Sequence, residues 1–390
     1  MARFVSSLRC IWFALGASAL MLLSACTYIQ HTPVPEALVN VAGVPQFTGI
    51  RSWADDLSPE FIEAVGTRHE QLRNSGLSNN SVYVLALSGG GENGAFGAGL
   101  LNGWSDSGTR PEFELVTGVS TGALIAPLAF LGREYDQALK GFYTGITTKD
   151  ILIANPVGGL TGGSALASNE PLKKLISEIV DMNMLEQIAV EYERGRRLLV
   201  LTTNLEAQRP VVWNMGRIAS YRMPEALDLF RNILLASAAI PAAFPPVALK
   251  VAADGKLYTE LHVDGGTTVN DFVAPLNAKL PGDLQGRKEY LYTILNGRLS
   301  PEYEKVEPQT LKIGGRAIGT LLKYKNYADL RRLYLLAKQR GANFRMTSVP
   351  PSFTAKSKQP FDKVYMNKLY QVGYQMGLAN NGWTADPDIF

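Results

Sequence analysis

Histidine is scarce in this chain: His31, His69 and His262 are the three in 390 residues. So few leave little for a histidine-rich metal centre or a serine–histidine catalytic relay. Cysteine is rarer still, with only Cys10 and Cys26, which excludes a disulfide-built scaffold and a thiolate metal cluster. Neither sign of charge dominates. The 38 Lys and Arg stand against 35 Asp and Glu, a formal net charge of +3, so composition offers no basic surface for nucleic acid. No fixed-period repeat occurs, and no linker is long enough to separate a pair of large domains. What abounds is glycine, 37 residues, beside 21 prolines and a hydrophobic fraction of 46%. That is a globular composition with many turns.

The apolar run Ile11 to Leu23 is shorter than the roughly 20 residues needed to span a bilayer. Arg3 and Arg9 precede it, and the small residues Ser24 and Ala25 close it just before Cys26. A basic start, an apolar middle and a small-residue end describe a secretory signal rather than a membrane span. Leu23-Ser24-Ala25-Cys26 resembles the lipobox of bacterial lipoproteins. That resemblance implies removal of residues 1–25, a diacylglycerol on the Cys26 thiol and an acyl chain, such as palmitate, on its new amine. Thr27, standing where Asp would retain the protein, implies forwarding to the outer membrane. With charges nearly balanced, lipid and not a polybasic patch would hold the protein to the envelope. Residues 26–80 read as a tether with one helical piece. It is opened by Ser58-Pro59 and striped by Ile62, Val65 and Leu72, and Gly76 and Asn79-Asn80 end it. His31 and His69 lie in this stretch and receive no role.

From residue 81 the pattern changes. Val82 to Leu87 is a continuous apolar, β-branched run suited to a strand buried on both faces. It enters Ser88-Gly89-Gly90-Gly91-Glu92-Asn93-Gly94, and an Ala/Gly/Leu-rich helix follows to about Trp104. Phe113 to Thr117 is the next predicted strand, leading through Gly118-Val119-Ser120-Thr121-Gly122 into an apolar helix, Ala123 to Leu131. Two strand–glycine turn–helix units in succession predict a mostly parallel sheet with helices on its faces. Further strands are expected at 198–203, 210–213, 257–263 and 290–296, and helices at 229–239, 329–338 and 362–378. Tyr324, Tyr327, Leu330, Leu333, Tyr334 and Leu335 lie at helical spacing with Arg331, Arg332 and Lys338 interspersed; a helix packed on the sheet with its basic face solvated is expected, and contact with a bilayer is the alternative.

Three glycine-rich sites carry chemical possibilities. Ser120 sits in Gly-x-Ser-x-Gly between a strand and a helix, where small residues two positions either side permit a tight turn that exposes the hydroxyl. The helix N-terminus beside it favours developing negative charge. A buried serine with no chemistry is the plain alternative. Gly159-Leu160-Thr161-Gly162-Gly163 mimics the pattern but lacks a preceding apolar strand. Gly89 to Gly94 satisfies Gly-x-Gly-x-x-Gly, which fits a cofactor phosphate or, through adjacent backbone N–H groups, an oxyanion. Asp264, followed by Gly265 and Gly266, is either a turn-former or a proton acceptor for a serine. No histidine follows Asp264, so the Ser, Asp, His order of an α/β-hydrolase is excluded.

Together these segments resemble the patatin-like phospholipase family. Ser88 to Gly94 is similar to its first glycine motif, Gly118 to Gly122 to its serine elbow and Asp264-Gly265-Gly266 to its aspartate motif, with Asn270 shortly after. Ala236 to Pro246 is similar to a further segment of the family, and the order agrees over about 82–275. The resemblance implies an α/β fold, a three-layer α/β/α sandwich with a mostly parallel central sheet. One catalytic domain would occupy 81–390, its C-terminal part helical. It further implies a Ser120–Asp264 dyad without histidine, and an oxyanion site on Gly89, Gly90 and Gly91. Gly94, Gly118, Gly122, Gly265 and Gly266 would shape the turns. No metal or cofactor is implied. The partners would be a lipid bilayer and lipid esters: phospholipids, lysophospholipids or related acyl esters. One departure stands out. Asn93 occupies a position where the family often has Arg or Lys, and an impaired envelope lipoprotein with a binding or structural role is the alternative that follows from it.

Overall fold

A computed structural model describes residues 31–66, 71–72, 80–156, 163–273 and 287–387. The signal and Cys26 therefore lie outside the described residues, as do His69, Gly76, Asn79 and most of the Gly159 to Gly163 segment. Among the described residues no helix is long and apolar enough to cross a membrane.

Among the described residues nine strands form the main sheet: β1 (Arg51–Trp53), β2 (Ser81–Leu87), β3 (Leu115–Val119), β4 (Arg197–Asn204), β5 (Arg209–Asn214), β6 (Val247–Ala253), β7 (Lys256–Asp264), β8 (Lys288–Leu295) and β9 (Asn343–Ser348). The helices that matter for the site are α1 (Pro59–Gly66), α2 (Gly94–Asp106), α3 (Thr121–Leu131), α4 (Met182–Glu193), α5 (Pro224–Ser237), α6 (Thr310–Arg340) and α7 (Lys363–Leu378). The order across the sheet is β1-β5-β4-β3-β2-β8-β9, and β7 pairs with both β4 and β6. The five strands from β4 to β9 are mutually parallel. The remaining pairings are antiparallel.

Continuous apolar strands are the expected consequence of a sheet covered on both sides. In β2, Leu85 and Leu87 enter the larger core with Phe96, Trp104 and Phe230 of α2 and α5. The alternate residues Val84 and Ala86 enter the opposite core with Phe61 and Val65 of α1 and Leu330 and Leu333 of α6. Three layers result, as the sequence implied. On the larger side α2 and α7 approach closely through glycine. A Cβ on Gly99 or Gly103 would sit 2.0 Å from the carbonyl oxygen of Tyr370 or Tyr374, and one on Gly377 would sit 2.1 Å from that of Leu100. Any side chain there must push the two helices apart.

Several expectations need correction. The domain does not begin at 81: Thr32 is bonded to Thr259, β1 extends the sheet beside β5, and Phe61, not Ile62, is the buried residue of α1's first turns. The supposed tether from residue 32 on is thus part of the fold. The second strand lies two residues later than expected, and α5 starts at Pro224, not at 229. Strands β6 and β9 are absent from the expected set, which has irregular or helical chain in their place. Short side chains in Val-Ala-Leu-Lys-Val-Ala-Ala and polar ones in Asn-Phe-Arg-Met-Thr-Ser blur the alternation by which strands are recognised. Helix α6 is 31 residues long, three times the expected span.

Candidate active site

Two strand ends create the site. Val119, the last residue of β3, lies opposite Leu201 of β4. Asp264, the last residue of β7, lies opposite the very next residue, Thr202. Because β5 occupies the far edge of β4, β3 and β7 share one edge and meet there end to end. Asp264 therefore arrives not on one of the parallel strands but on an antiparallel one aimed at the end of β3.

Ser120 follows β3 and precedes α3, with φ 54° and ψ −125°. A positive φ is costly for a non-glycine residue and marks a sharp turn that the surroundings must enforce. Gly122 makes that turn possible, since a Cβ there would lie 2.2 Å from the Leu87 carbonyl oxygen. The Ser120 N–H donates to Ser237 Oγ at 3.0 Å, and the Ser237 hydroxyl donates to the Leu201 carbonyl at 2.7 Å. The elbow is thereby tied to both α5 and β4.

The Ser120 hydroxyl donates to Asp264 Oδ2 at 2.6 Å. The Gly266 N–H donates to Asp264 Oδ1 at 2.7 Å, fixing the carboxyl plane. Both residues are 5% exposed. Burial pushes the Asp264 carboxyl up to about 7, against the opposing pull of the bonds from Ser120 and Gly266. A carboxylate at its reference value near 3.9 would be a weak base for a serine. Desolvation removes that objection, because a base is most effective when its pKa lies near the working pH.

His262 is turned elsewhere. Its Nδ1 lies 2.9 Å from Thr202 Oγ1 and its Nε2 3.0 Å from Glu260 Oε2. Burial, only partly opposed by Glu260, lowers its pKa and favours the neutral ring.

The glycine loop lies against the serine: a Cβ on Gly89 would sit 3.0 Å from Ser120 Cβ and 2.3 Å from Asn270 Oδ1. The Gly89 N–H, however, is donated to the Asn270 carbonyl at 3.2 Å. It is already used, whereas the Gly90 and Gly91 N–H groups make no hydrogen bond within the described residues. Asn296 holds the loop from below. It donates from Nδ2 to the Ser88 carbonyl at 2.8 Å and accepts the Gly97 N–H on Oδ1 at 3.2 Å. A Cβ on Gly90 would stand 1.9 Å from the Asn296 carbonyl oxygen. Glu92 and Asn93 both turn to the C-terminal part of the chain. Glu92 accepts from the Ser357 hydroxyl and the Asp362 N–H, each at 3.1 Å, and Asn93 accepts from the Tyr365 hydroxyl at 2.7 Å.

Sequence reasoning assigns no functional part to Ser237 or Asn296. Their signal was available: Asn296 ends the apolar run of β8, and Ser237 is the polar residue inside the apolar run Ile233 to Ile240.

The end-to-end strands, the strained serine and the glycine loop agree with what the sequence matches. Residues 85–277 fit the family model described as patatin-like phospholipase. Over those residues the chain is similar to the patatin-like phospholipases. Its fold is the patatin fold, a central, mostly parallel sheet flanked by helices, and the family match supports lipid hydrolysis as the activity. Among solved structures, VipD from Legionella pneumophila is similar at 13% identity and a TM-score of 0.38, over 78% of this chain and 68% of its own. Human GIVD cytosolic phospholipase A2 is similar at 13% identity and a TM-score of 0.35, over 82% of this chain and 56% of its own. No curated protein matches the chain.

Proposed function

We propose that the patatin-like domain is a serine acyl hydrolase of lipid esters, working through Ser120 and Asp264 without histidine or metal. The observation that carries this reading is the 2.6 Å bond from the Ser120 hydroxyl to a buried carboxylate of raised basicity. As Ser120 Oγ attacks the ester carbonyl carbon, its proton passes to Asp264 Oδ2. The carbonyl oxygen becomes an oxyanion, received by the N–H groups of Gly90 and Gly91 and by the N-terminus of α3. Collapse breaks the ester C–O bond, and Asp264 returns the proton to the departing alcohol. Water then attacks the acyl-serine, giving its proton to Asp264, and Ser120 is reprotonated as the fatty acid leaves.

The impaired-scaffold alternative rests on Asn93. That residue faces Tyr365, and the backbone donors of the loop do not depend on its side chain. Labelling with a fluorophosphonate probe separates the two readings. The expected result is covalent modification of Ser120, found by peptide mass spectrometry and absent in Ser120→Ala. A natively folded protein that takes no label at Ser120 would overturn the hydrolase reading.

We also propose that Cys26 carries the lipid anchor in the bacterial envelope, on the strength of the Leu23 to Cys26 motif. In a bacterial host, Cys26→Ser is expected to leave the signal uncut by the lipoprotein peptidase and the protein unlabelled by radioactive palmitate. Equal palmitate incorporation in wild type and Cys26→Ser would rule the anchor out.

A further inference from the structure

Helix α6 has two unlike halves. Toward its C-terminus Leu330, Leu333 and Ala337 are buried against the sheet. Before Asn326 the helix runs out over solvent, leaving Ile313 52%, Ile318 58%, Leu321 70% and Tyr324 59% exposed. Ile313, Ala317, Leu321, Tyr324, Ala328 and Leu335 recur at intervals of three, four or seven residues. They form one apolar stripe on the side away from the packed residues. Gly314, Gly315 and Gly319 interrupt this half, with nothing within 4 Å of a Cβ at any of them. Glycine is among the weakest helix formers in water. Neither propensity nor tertiary packing accounts for a helix here, whereas an apolar surrounding on the stripe would.

Charge identifies the surrounding. The helix carries eight basic residues and one acid, Asp329, and that acid is turned inward to accept the Asn270 N–H at 2.7 Å. Arg316 and Lys323 pair with Glu304 and Glu302 and also donate to the Glu302 and Ser300 carbonyls; the carboxylates of these pairs are exposed and compete weakly with another anion. Position matters too. Lys325 donates to the Thr268 carbonyl and the Asn270 side-chain amide donates to Asn326, while the Asn270 carbonyl receives the Gly89 N–H. The helix is thus fastened to the segment that joins Asp264 to the glycine loop.

We infer that the outer face of α6 docks the protein on an anionic phospholipid bilayer. The stripe enters the boundary between head groups and acyl chains, and the flanking Lys and Arg side chains face the phosphates. The choice of a bilayer as partner rests on the lipid-hydrolase reading, and the experiment keeps the two apart. It uses residues 27–390, the mature chain without its lipidated Cys26, so that neither the apolar signal nor an attached acyl group contributes to binding. Flotation is measured with vesicles of equal parts phosphatidylcholine and phosphatidylglycerol, and with phosphatidylcholine alone. The unaltered stripe is expected to bind the anionic vesicles more tightly. Leu321→Glu combined with Tyr324→Glu is expected to lower that binding about tenfold or more. Hydrolysis of vesicle lipid should fall in step, with turnover of a soluble short-chain ester unchanged. Stripe-dependent binding without any ester turnover would uphold docking and refute the hydrolase. Equal flotation of the two proteins overturns the docking inference. So does a dimer in solution that the double substitution converts to monomer while flotation persists, since a second copy would then own the stripe.

Discussion

Ser120→Ala and Asp264→Asn are each expected to lower ester turnover by roughly three to five orders of magnitude, and the double variant by little more than either one. The two side chains share a single proton transfer across a 2.6 Å bond, so removing either disables the same step and the losses overlap. Asp264→Asn retains shape but offers no basic oxygen lone pair of comparable strength. Its effect therefore reports chemistry and not the packing of the strand end. His262→Ala is the contrasting variant. Both ring nitrogens face Thr202 and Glu260, away from the proton path, so turnover per folded molecule should stay within about tenfold of wild type. The measurement is turnover of a soluble acyl ester, normalised to folded protein from thermal melts. Near-wild-type turnover in Asp264→Asn, or a loss in His262→Ala as deep as that in Ser120→Ala, would defeat the histidine-free mechanism.

The features of this site that sequence reveals are those where backbone must come close to backbone. Gly118, Gly122 and Gly265 have no room for a Cβ because carbonyl oxygens of neighbouring segments stand within 2.4 Å of where it would lie. Steric demands of that kind leave a fixed residue type at a fixed spacing, and the spacing can be read without a structure. The buried strands were visible for a related reason. Burial on two faces demands an unbroken apolar run, as in Val82 to Leu87.

What was hidden depends on partners far away in the chain. The antiparallel approach of β7 is set by its hairpin with β6 and its three-residue pairing with β4, neither of which leaves a local mark. The consumption of the Gly89 N–H is decided by Asn270, which lies on another segment. The basicity of Asp264 is less local still. It arises from the exclusion of water by β4, α5 and the glycine loop together, and Asp-Gly-Gly reads the same in a dry site or a wet one.

That dryness makes a second prediction, on acidity and stability together. The Asp264 carboxyl lies at about 7 in the folded protein against an ordinary value of 3.8, with burial as the chief cause. For catalysis the ionised form is the base, so kcat/KM for a neutral ester should fall about tenfold per pH unit below 7 and level off above it. For stability the sign is opposite. The folded state holds this proton more tightly than the unfolded chain, so the contribution is fully present below pH 3.8. It is lost as pH rises through about 7. The interval between the two values corresponds to roughly 4 kcal/mol. Asp264→Asn carries no such penalty. Its stability relative to wild type should therefore rise from pH 4 to pH 7 by on the order of 3–4 kcal/mol and stay level at pH 8. Urea melts of both proteins across that range supply the difference, in which the other titrating groups cancel. The slope is the test, because loss of the bonds to Ser120 and Gly266 only offsets the whole curve. A flat difference from pH 4 to pH 8 would mean that Asp264 is ionised throughout, and the proposed base would have no more strength than a carboxylate in water.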